Sequence, residues 1–309
     1  RLFYLLVYAF LCSDRLSQRK LESVFASQHF KSLFNFSVDM KVSRSSISTR
    51  LSKIDLDFFR QAYELIYTRL SSLYTEKEIR DMYLVRIDSS MVAETCNKLK
   101  QGFTTGRKAA AKEDRKQIKY TMAYDGFAAK LAEVLCEPTY LNEDMAMPKV
   151  LEGLVKKDRN HQNLYVLDRG LKALDNYKKI SQADALFVGR INTNRKMRVV
   201  RSLMSDETDR NLGKLELMED VIVHLYNKEH KEDTNEFRVV KARFKIPTDT
   251  ARKSSGGTNR KKTEQDVFFI TNVTNEPGKV QLTAQEIAEA YKRRWDIEVF
   301  YRFLKQELS

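Results

Sequence analysis

The stretch from residue 83 to 188 constrains this chain more than any other. Tyr83-Leu84-Val85-Arg86-Ile87-Asp88 is a short apolar strand that ends on a carboxylate. Residues 120–124 and 131–135 are β-rich runs on either side of Asp125-Gly126, a pair suited to the positive φ angles of a tight hairpin. Helical spacing follows over about 146–157, and then a second apolar strand, Leu164-Tyr165-Val166-Leu167-Asp168, again closes on aspartate. Gly170 ends that strand, a helix occupies about 172–181, and Ala185-Leu186-Phe187-Val188 makes a fifth strand. Strands this apolar must be covered on both faces, which predicts an α/β fold with a mixed sheet flanked by helices.

The flanking segments differ from this centre. No proline precedes Pro138, and Phe58, Phe59, Ala62, Leu65, Ile66, Leu70 and Leu73 recur at helical steps, so residues 1–80 read as a helical region. Within it, residues 40–51 contain a serine-capped helix with Ile47 and Leu51 four apart, fitting either an ordinary helix or the second helix of a DNA-reading helix-turn-helix. The apolar run 2–12 is too short to span a bilayer and reads as a buried helix. Cys12, Cys96 and Cys136 are widely spaced, as reduced thiols in a cytosolic protein are, with neither disulfide nor zinc spacing. Residues 192–265 are polar with β-like stretches at 221–226 and 237–244 and a basic, glycine-containing run at 252–262, which predicts an inserted β-rich subdomain with a mobile loop. A buried strand returns at 267–270, and one long final helix runs from Thr283, capped by Thr283 and Glu286, to the end of the chain. The whole order is that of a ribonuclease-H-like core over 81–309, with a β-rich insertion at about 192–265 and a helical N-terminal region over 1–80.

With 55 Lys+Arg against 42 Asp+Glu, the chain carries +13 and favours a polyanionic partner, nucleic acid above all. Asp88 and Asp168 each close a short apolar strand. Two carboxylates held together on adjacent strands repel, and a divalent cation between them relieves that repulsion. Asp is also a favoured turn residue at strand ends, so strand ends alone leave both readings open. On the final helix, Tyr291, Arg294, Glu298 and Lys305 fall within an arc of about 60°, while the other positions Ile297, Val299, Phe300, Phe303 and Leu304 are apolar, which predicts a helix buried on most sides. A carboxylate flanked by cations on a largely buried helix suits a site better than a solvated charge stripe. Trp295, the single tryptophan, borders the apolar side, so it fits core packing as well as stacking on a distorted duplex. Lys98, Lys100, Arg107, Lys108, Lys112, Arg115 and Lys116 make a basic segment able to follow flanking DNA or simply face solvent. His29, His161, His224 and His230 show no ligand spacing.

These residues resemble a family. Tyr291, Arg294, Glu298 and Lys305 match the spacing Y-x2-R-x3-E-x6-K of the insertion-sequence transposases of the DDE class bearing the YREK signature. Ile87-Asp88-Ser89-Ser90 and Leu167-Asp168-Arg169-Gly170 are similar to that family's first and second aspartate segments, and the β-rich insertion precedes the last acidic residue as it does there. The resemblance covers about 81–309 and implies a catalytic core in which Asp88, Asp168 and Glu298 hold two Mg²⁺ ions, with Mn²⁺ as a substitute. It implies that Tyr291, Arg294, Trp295 and Lys305 contact DNA near the cut end. The implied activity is metal-dependent cleavage at transposon ends and strand transfer into target DNA, that is, cut-and-paste transposition. Implied partners are double-stranded DNA (terminal inverted repeats and target) and a second copy of the chain in a synapsed homodimer, with no membrane. The implied location is the bacterial cytoplasm, on the nucleoid when DNA-bound. Two alternatives share the fold: a ribonuclease-H-like nuclease without strand transfer, and an inactive transposase-derived DNA-binding protein. The chain starts at Arg1 and stops at Ser309 inside a helical pattern, as a fragment or processed chain would.

Overall fold

A computed structural model describes residues 1–12, 17–74, 83–93, 102–104, 116–158, 163–226, 234–252 and 260–307. The chain divides into two compact units, residues 1–75 with 299–309, and residues 76–298.

The first unit contains helices α1 (Leu2–Cys12), α2 (Gln18–Ala26), α3 (Gln28–Leu33), α4 (Arg44–Ser52) and α5 (Leu56–Ser71). Their core gathers Leu5, Ala9, Leu21, Val24, Phe25, Phe30 and Ile47. Serine caps start three of the helices; the Ser43 hydroxyl accepts the Ser46 amide at the start of α4. The apolar run 2–12 is a helix, but only Leu5 and Ala9 are buried, so its burial is one-sided. The apolar stripe of α5 is also largely exposed at Phe58, Leu65, Ile66 and Leu70. Residues 34–43 separate α3 from α4, a longer link than the tight turn of a helix-turn-helix. Among the described residues no helix is long and apolar enough to cross a membrane.

The second unit is built on one mixed sheet. Strands β1 (Leu84–Ala93), β3 (Lys116–Tyr124) and β4 (Ala129–Leu135) are antiparallel neighbours, with the short β2 (Phe103–Thr104) on the outer edge of β3. Asp125 makes the β3–β4 turn, its buried Oδ1 accepting the amides of Phe127 and Ala128 at 2.9 and 2.8 Å. Gly126 there has φ +96°, and a Cβ on it would lie 3.1 Å from a nitrogen of the Arg86 guanidinium, so both backbone and space require glycine. β5 (Leu164–Leu167) and β6 (Leu186–Ile191) continue the sheet parallel to β1. Spatial order β4-β3-β1-β5-β6, with β3 reversed, is the ribonuclease-H-like arrangement.

Helices cover both faces. α6 (Glu143–Lys157) and α7 (Leu174–Gln182) pack Met147, Val150, Leu151, Tyr177 and Ile180 against Val85, Ile87, Tyr165, Leu167 and Phe187. On the other face α8 (Ala284–Lys292) packs Ile287 and Ala288 against Val188, Val267 and Phe269. Phe187 and Val188 are consecutive and enter opposite layers, as strand alternation requires.

Two expectations are corrected. The segment after β6 is not a separate subdomain: β7 (Met197–Ser202), β8 (Asn211–Leu212), β9 (Leu215–Leu225), β10 (Glu236–Arg252) and β11 (Arg260–Thr271) extend the core sheet itself. The join is the antiparallel pairing of Phe268–Thr271 with Val188–Ile191, which gives the β6 edge a partner. Nor is the final helix single. α8 ends at Lys292 and α9 (Trp295–Glu307) begins after a turn at Arg293-Arg294. At that turn the buried Arg86 guanidinium donates to the Arg293 carbonyl at 3.3 Å and to Asp296 Oδ2 at 3.0 Å, drawing the backbone toward the sheet. The Arg294 amide instead bonds the Tyr291 carbonyl three residues back, a tighter turn than the α-helix.

Candidate active site

Parallel pairing of β1 with β5 aligns Ile87 with Leu167, the last pair of that register, so Asp88 and Asp168 follow side by side. Asp168 comes directly after β5, whereas β1 does not end at Asp88 as the sequence suggested but runs on to Ala93, with Asp88 paired to Met122 of β3. From the other side the α8–α9 turn delivers Arg294, and the first turn of α9 delivers Glu298. The Arg294 guanidinium lies among all three carboxylates: 3.6 Å from Asp88 Oδ2, 3.4 Å from Asp168 Oδ1 and 2.6 Å from Glu298 Oε1. Three acids remote in sequence thus converge on one cation. The fold thereby brings together Asp88, Asp168, Glu298 and Arg294 from the residues singled out in the sequence.

The electrostatics follow from that crowding. Burial pushes the Asp88 carboxyl up to about 6; the neighbouring Asp168 and Glu143 add to the rise, against the Ser89 amide and Arg294. The Ser89 N–H donates to Asp88 Oδ1 at 2.8 Å. Burial works to lower the Arg294 pKa, but Asp168 and the Glu298 hydrogen bond more than offset it, and the group is held further above its ordinary value. Tyr291 packs its ring on Phe269 at 5.4 Å, and burial followed by Asp168 raises its hydroxyl above the usual phenol range. It is therefore a neutral donor. Arg294 Cζ lies 5.9 Å from the centre of that ring.

The remaining predicted residues are dispersed. Trp295 is 52% exposed beside Arg294, so the core-packing reading of its indole does not hold. Lys305 is exposed on α9, within the first unit. Of the basic segment, Lys98, Lys100, Arg107, Lys108, Lys112 and Arg115 lie outside the described residues, and Lys116 opens β3. Cys96, His161 and His230 also lie outside them, as do 253–259 of the basic run.

Two acids at the start of α6 were not singled out in the sequence. Glu143 accepts Lys119 Nζ at 2.7 Å and the Ser89 hydroxyl at 2.9 Å, next in the chain to Asp88. Ser89 spends its one proton on Glu143, so Thr121 donates to Ser89 across the 2.8 Å contact. A Cβ built on Gly170 would fall 2.5 Å from Glu143 Cγ and 3.6 Å from Asp168 Oδ2, so this glycine lets Glu143 approach the second aspartate. Asp144 Oδ1 accepts the Lys172 and Ala173 amides, both at 2.7 Å, and holds the loop that follows Asp168. Pro148 cannot donate to the Asp144 carbonyl one helical turn back, and Asn176 Nδ2 takes that carbonyl at 2.9 Å. The available signal was Asn142-Glu143-Asp144, a capped first turn with two acids directly before an apolar helix.

Among the described residues no three His, Cys, Asp or Glu side chains form a ready metal cage, for the guanidinium stands among the acids. The donor chemistry nevertheless suits a hard divalent cation: three carboxylates, partly shielded from water, around one positive charge.

Known proteins bear on this geometry. No curated protein sequence matches the chain. Among solved structures, it is similar to one titled as a cryo-EM structure of the piggyBac transposase synaptic complex with hairpin DNA, at 12% identity and TM-score 0.44. That likeness covers 100% of this chain and 59% of the other, so the chain spans less than two thirds of that protein. The family model described as transposase DDE domain matches residues 80–309, the stretch that carries Asp88, Asp168 and Glu298. By that match the chain belongs to the transposase DDE domain family.

Proposed function

We propose that this chain cuts DNA at transposon ends and joins the ends to target DNA, with Asp88, Asp168 and Glu298 as the acidic residues of a two-Mg²⁺ site. The observation that carries the reading is the convergence of these three carboxylates, from mid-β1, the end of β5 and a helix, on the Arg294 guanidinium. When bound, a pair of divalent cations supplies an activated oxygen nucleophile and charge stabilisation at the leaving oxygen. The chain's own residues do the rest. Asp88 and Asp168 are anchored by the buried backbone of β1 and β5, so their oxygens are preorganised. Arg294 offers a planar fork that matches a phosphate, and Tyr291 a neutral hydroxyl beside it. The exposed indole of Trp295 is free to stack on an unpaired base. The sequence match to Y-x2-R-x3-E-x6-K supports adding Lys305 to the DNA-contacting set. The +13 charge suits a DNA polyanion, and two ends to be synapsed call for two copies of the chain.

Asp168→Asn tests the reading. It removes one ligand charge at nearly constant volume, so Mg²⁺-dependent DNA cleavage should fall by about 10²-fold or more while affinity for a duplex persists. Cleavage at the wild-type rate would refute the assignment. A pre-cut end joined to a second duplex in Mg²⁺ separates a transposase from a nuclease that only cuts.

A further inference from the structure

Three buried or partly buried arginines in the second unit behave differently. Arg238 makes two short hydrogen bonds to Asp220, at 2.7 and 2.6 Å, and a third to the Leu282 carbonyl. Arg86 likewise makes three, to Leu84, Arg293 and Asp296. These two are structural locks. Arg294 makes one short hydrogen bond, to Glu298 at 2.6 Å, and has the Tyr291 hydroxyl beside it. Its other approaches, to Asp168 and Asp88, are charge contacts at 3.4 and 3.6 Å, and its buried Nε has no hydrogen-bond partner. A guanidinium so placed is a counter-ion, and one with donors to spare for another anion.

The three carboxylates would repel one another without a positive charge among them, and Arg294 supplies it. A divalent cation would need the same oxygens and would be repelled by the guanidinium. We infer that Arg294 and divalent cations compete for Asp88, Asp168 and Glu298, and that a DNA phosphate drawing Arg294 away couples DNA binding to metal binding. This deepens the metal-site reading proposed above and rests on it. A phosphate is a suitable competitor because it takes the guanidinium bidentately, and the buried Nε has no hydrogen-bond partner among the described residues. Coupling of this kind is reciprocal: whatever the phosphate adds to cation affinity, the cation returns to phosphate affinity. The DNA-free protein would then hold metal weakly and cut nothing, and its site would assemble on its substrate.

Mn²⁺ binding to the full chain, read by electron paramagnetic resonance with and without a short DNA duplex, tests this. The proteins compared are the wild type, Arg294→Gln, Arg294→Lys and Asp168→Asn, with circular dichroism to establish that each folds. Without DNA, Arg294→Gln should bind Mn²⁺ about ten-fold tighter or more than the wild type, within the usual span of site-to-site coupling. The duplex should tighten Mn²⁺ binding in the wild type and leave Arg294→Gln nearly unchanged. If Arg294→Gln does not fold, Arg294→Lys serves: a point charge cannot span three acids, so it too should bind Mn²⁺ tighter than the wild type. Equal or weaker Mn²⁺ binding in the folded variant overturns the competition. An equal effect of the duplex on wild type and variant overturns the coupling through Arg294. Asp168→Asn should lose Mn²⁺ binding in either case; if it binds like the wild type, the metal-site reading itself fails.

Discussion

Asp88 holds its proton more tightly folded than unfolded, because burial and the nearby Asp168 oppose its ionisation. The sign follows by linkage. A carboxyl raised from 3.8 to about 6 weakens the folded state as pH climbs through that window, and the penalty is complete above it. The gap corresponds to about 3 kcal/mol. Asp88→Asn is therefore expected to melt above the wild type at pH 7–8 in EDTA and to converge with it near pH 4. Added Mg²⁺ should raise the wild-type midpoint and leave the variant's unmoved. Thermal melts across that pH range, with and without Mg²⁺, check both; a variant less stable at pH 8 in EDTA would contradict the desolvated carboxylate.

At the scale of elements, β1 presents Arg86 and Asp88, two residues apart, to the side where the α8–α9 turn arrives. Arg86 is 1% exposed, and its three hydrogen bonds tie the sheet to the Arg293 carbonyl and to Asp296. That tie breaks the final helix where Arg294 must turn inward, so the element boundary and the site geometry share one cause. Asp296→Ala leaves a buried guanidinium without its carboxylate. The expected cost is about 2–3 kcal/mol, below that of a fully buried pair because Asp296 is itself half-exposed. Urea denaturation measures it. The same variant should weaken metal-dependent cleavage, since the turn that carries Arg294 loses a tether. A loss of stability within 0.5 kcal/mol would mean that the carbonyl bonds of Arg86 suffice.

At the scale of the molecule, the strands after β6 are not an appendage. Phe237, Val239, Val221 and Val223 join Phe187, Tyr177 and Ile87 in one apolar cluster, and Phe237 meets Tyr177 and Phe187 ring to ring at 6.1 and 6.3 Å. A shared sheet and a shared core should unfold together. Phe237→Ala, in β10, is expected to cost about 3–5 kcal/mol and to shift the unfolding reported by the single Trp295, which lies on another element. Denaturation followed by tryptophan fluorescence and by circular dichroism should give coincident curves. An unmoved fluorescence transition beside a shifted dichroism transition would instead make the added strands an independent folding unit.

What local chemistry could decide, the sequence already carried. Asp168 announces itself at the end of a short apolar strand, Asp125-Gly126 at a turn, Thr283 and Glu286 at a helix start, and the order of strands and helices reports a ribonuclease-H-like core, although the strand read as closing on Asp88 runs on to Ala93. Each is a matter of period or of neighbours within a few residues. Other features have no local signature, because they arise between groups distant in the chain. The helix break at Arg293 answers to Arg86, the sheet continues because Phe268–Thr271 finds the β6 edge, and Glu143 packs into the space that Gly170 leaves beside Asp168. The placement of Arg294 is of this kind. On a helical wheel it is one cation on a charged face; in the fold, three carboxylates from separate elements share its charge, because they are partly shielded from the water that would otherwise answer their repulsion.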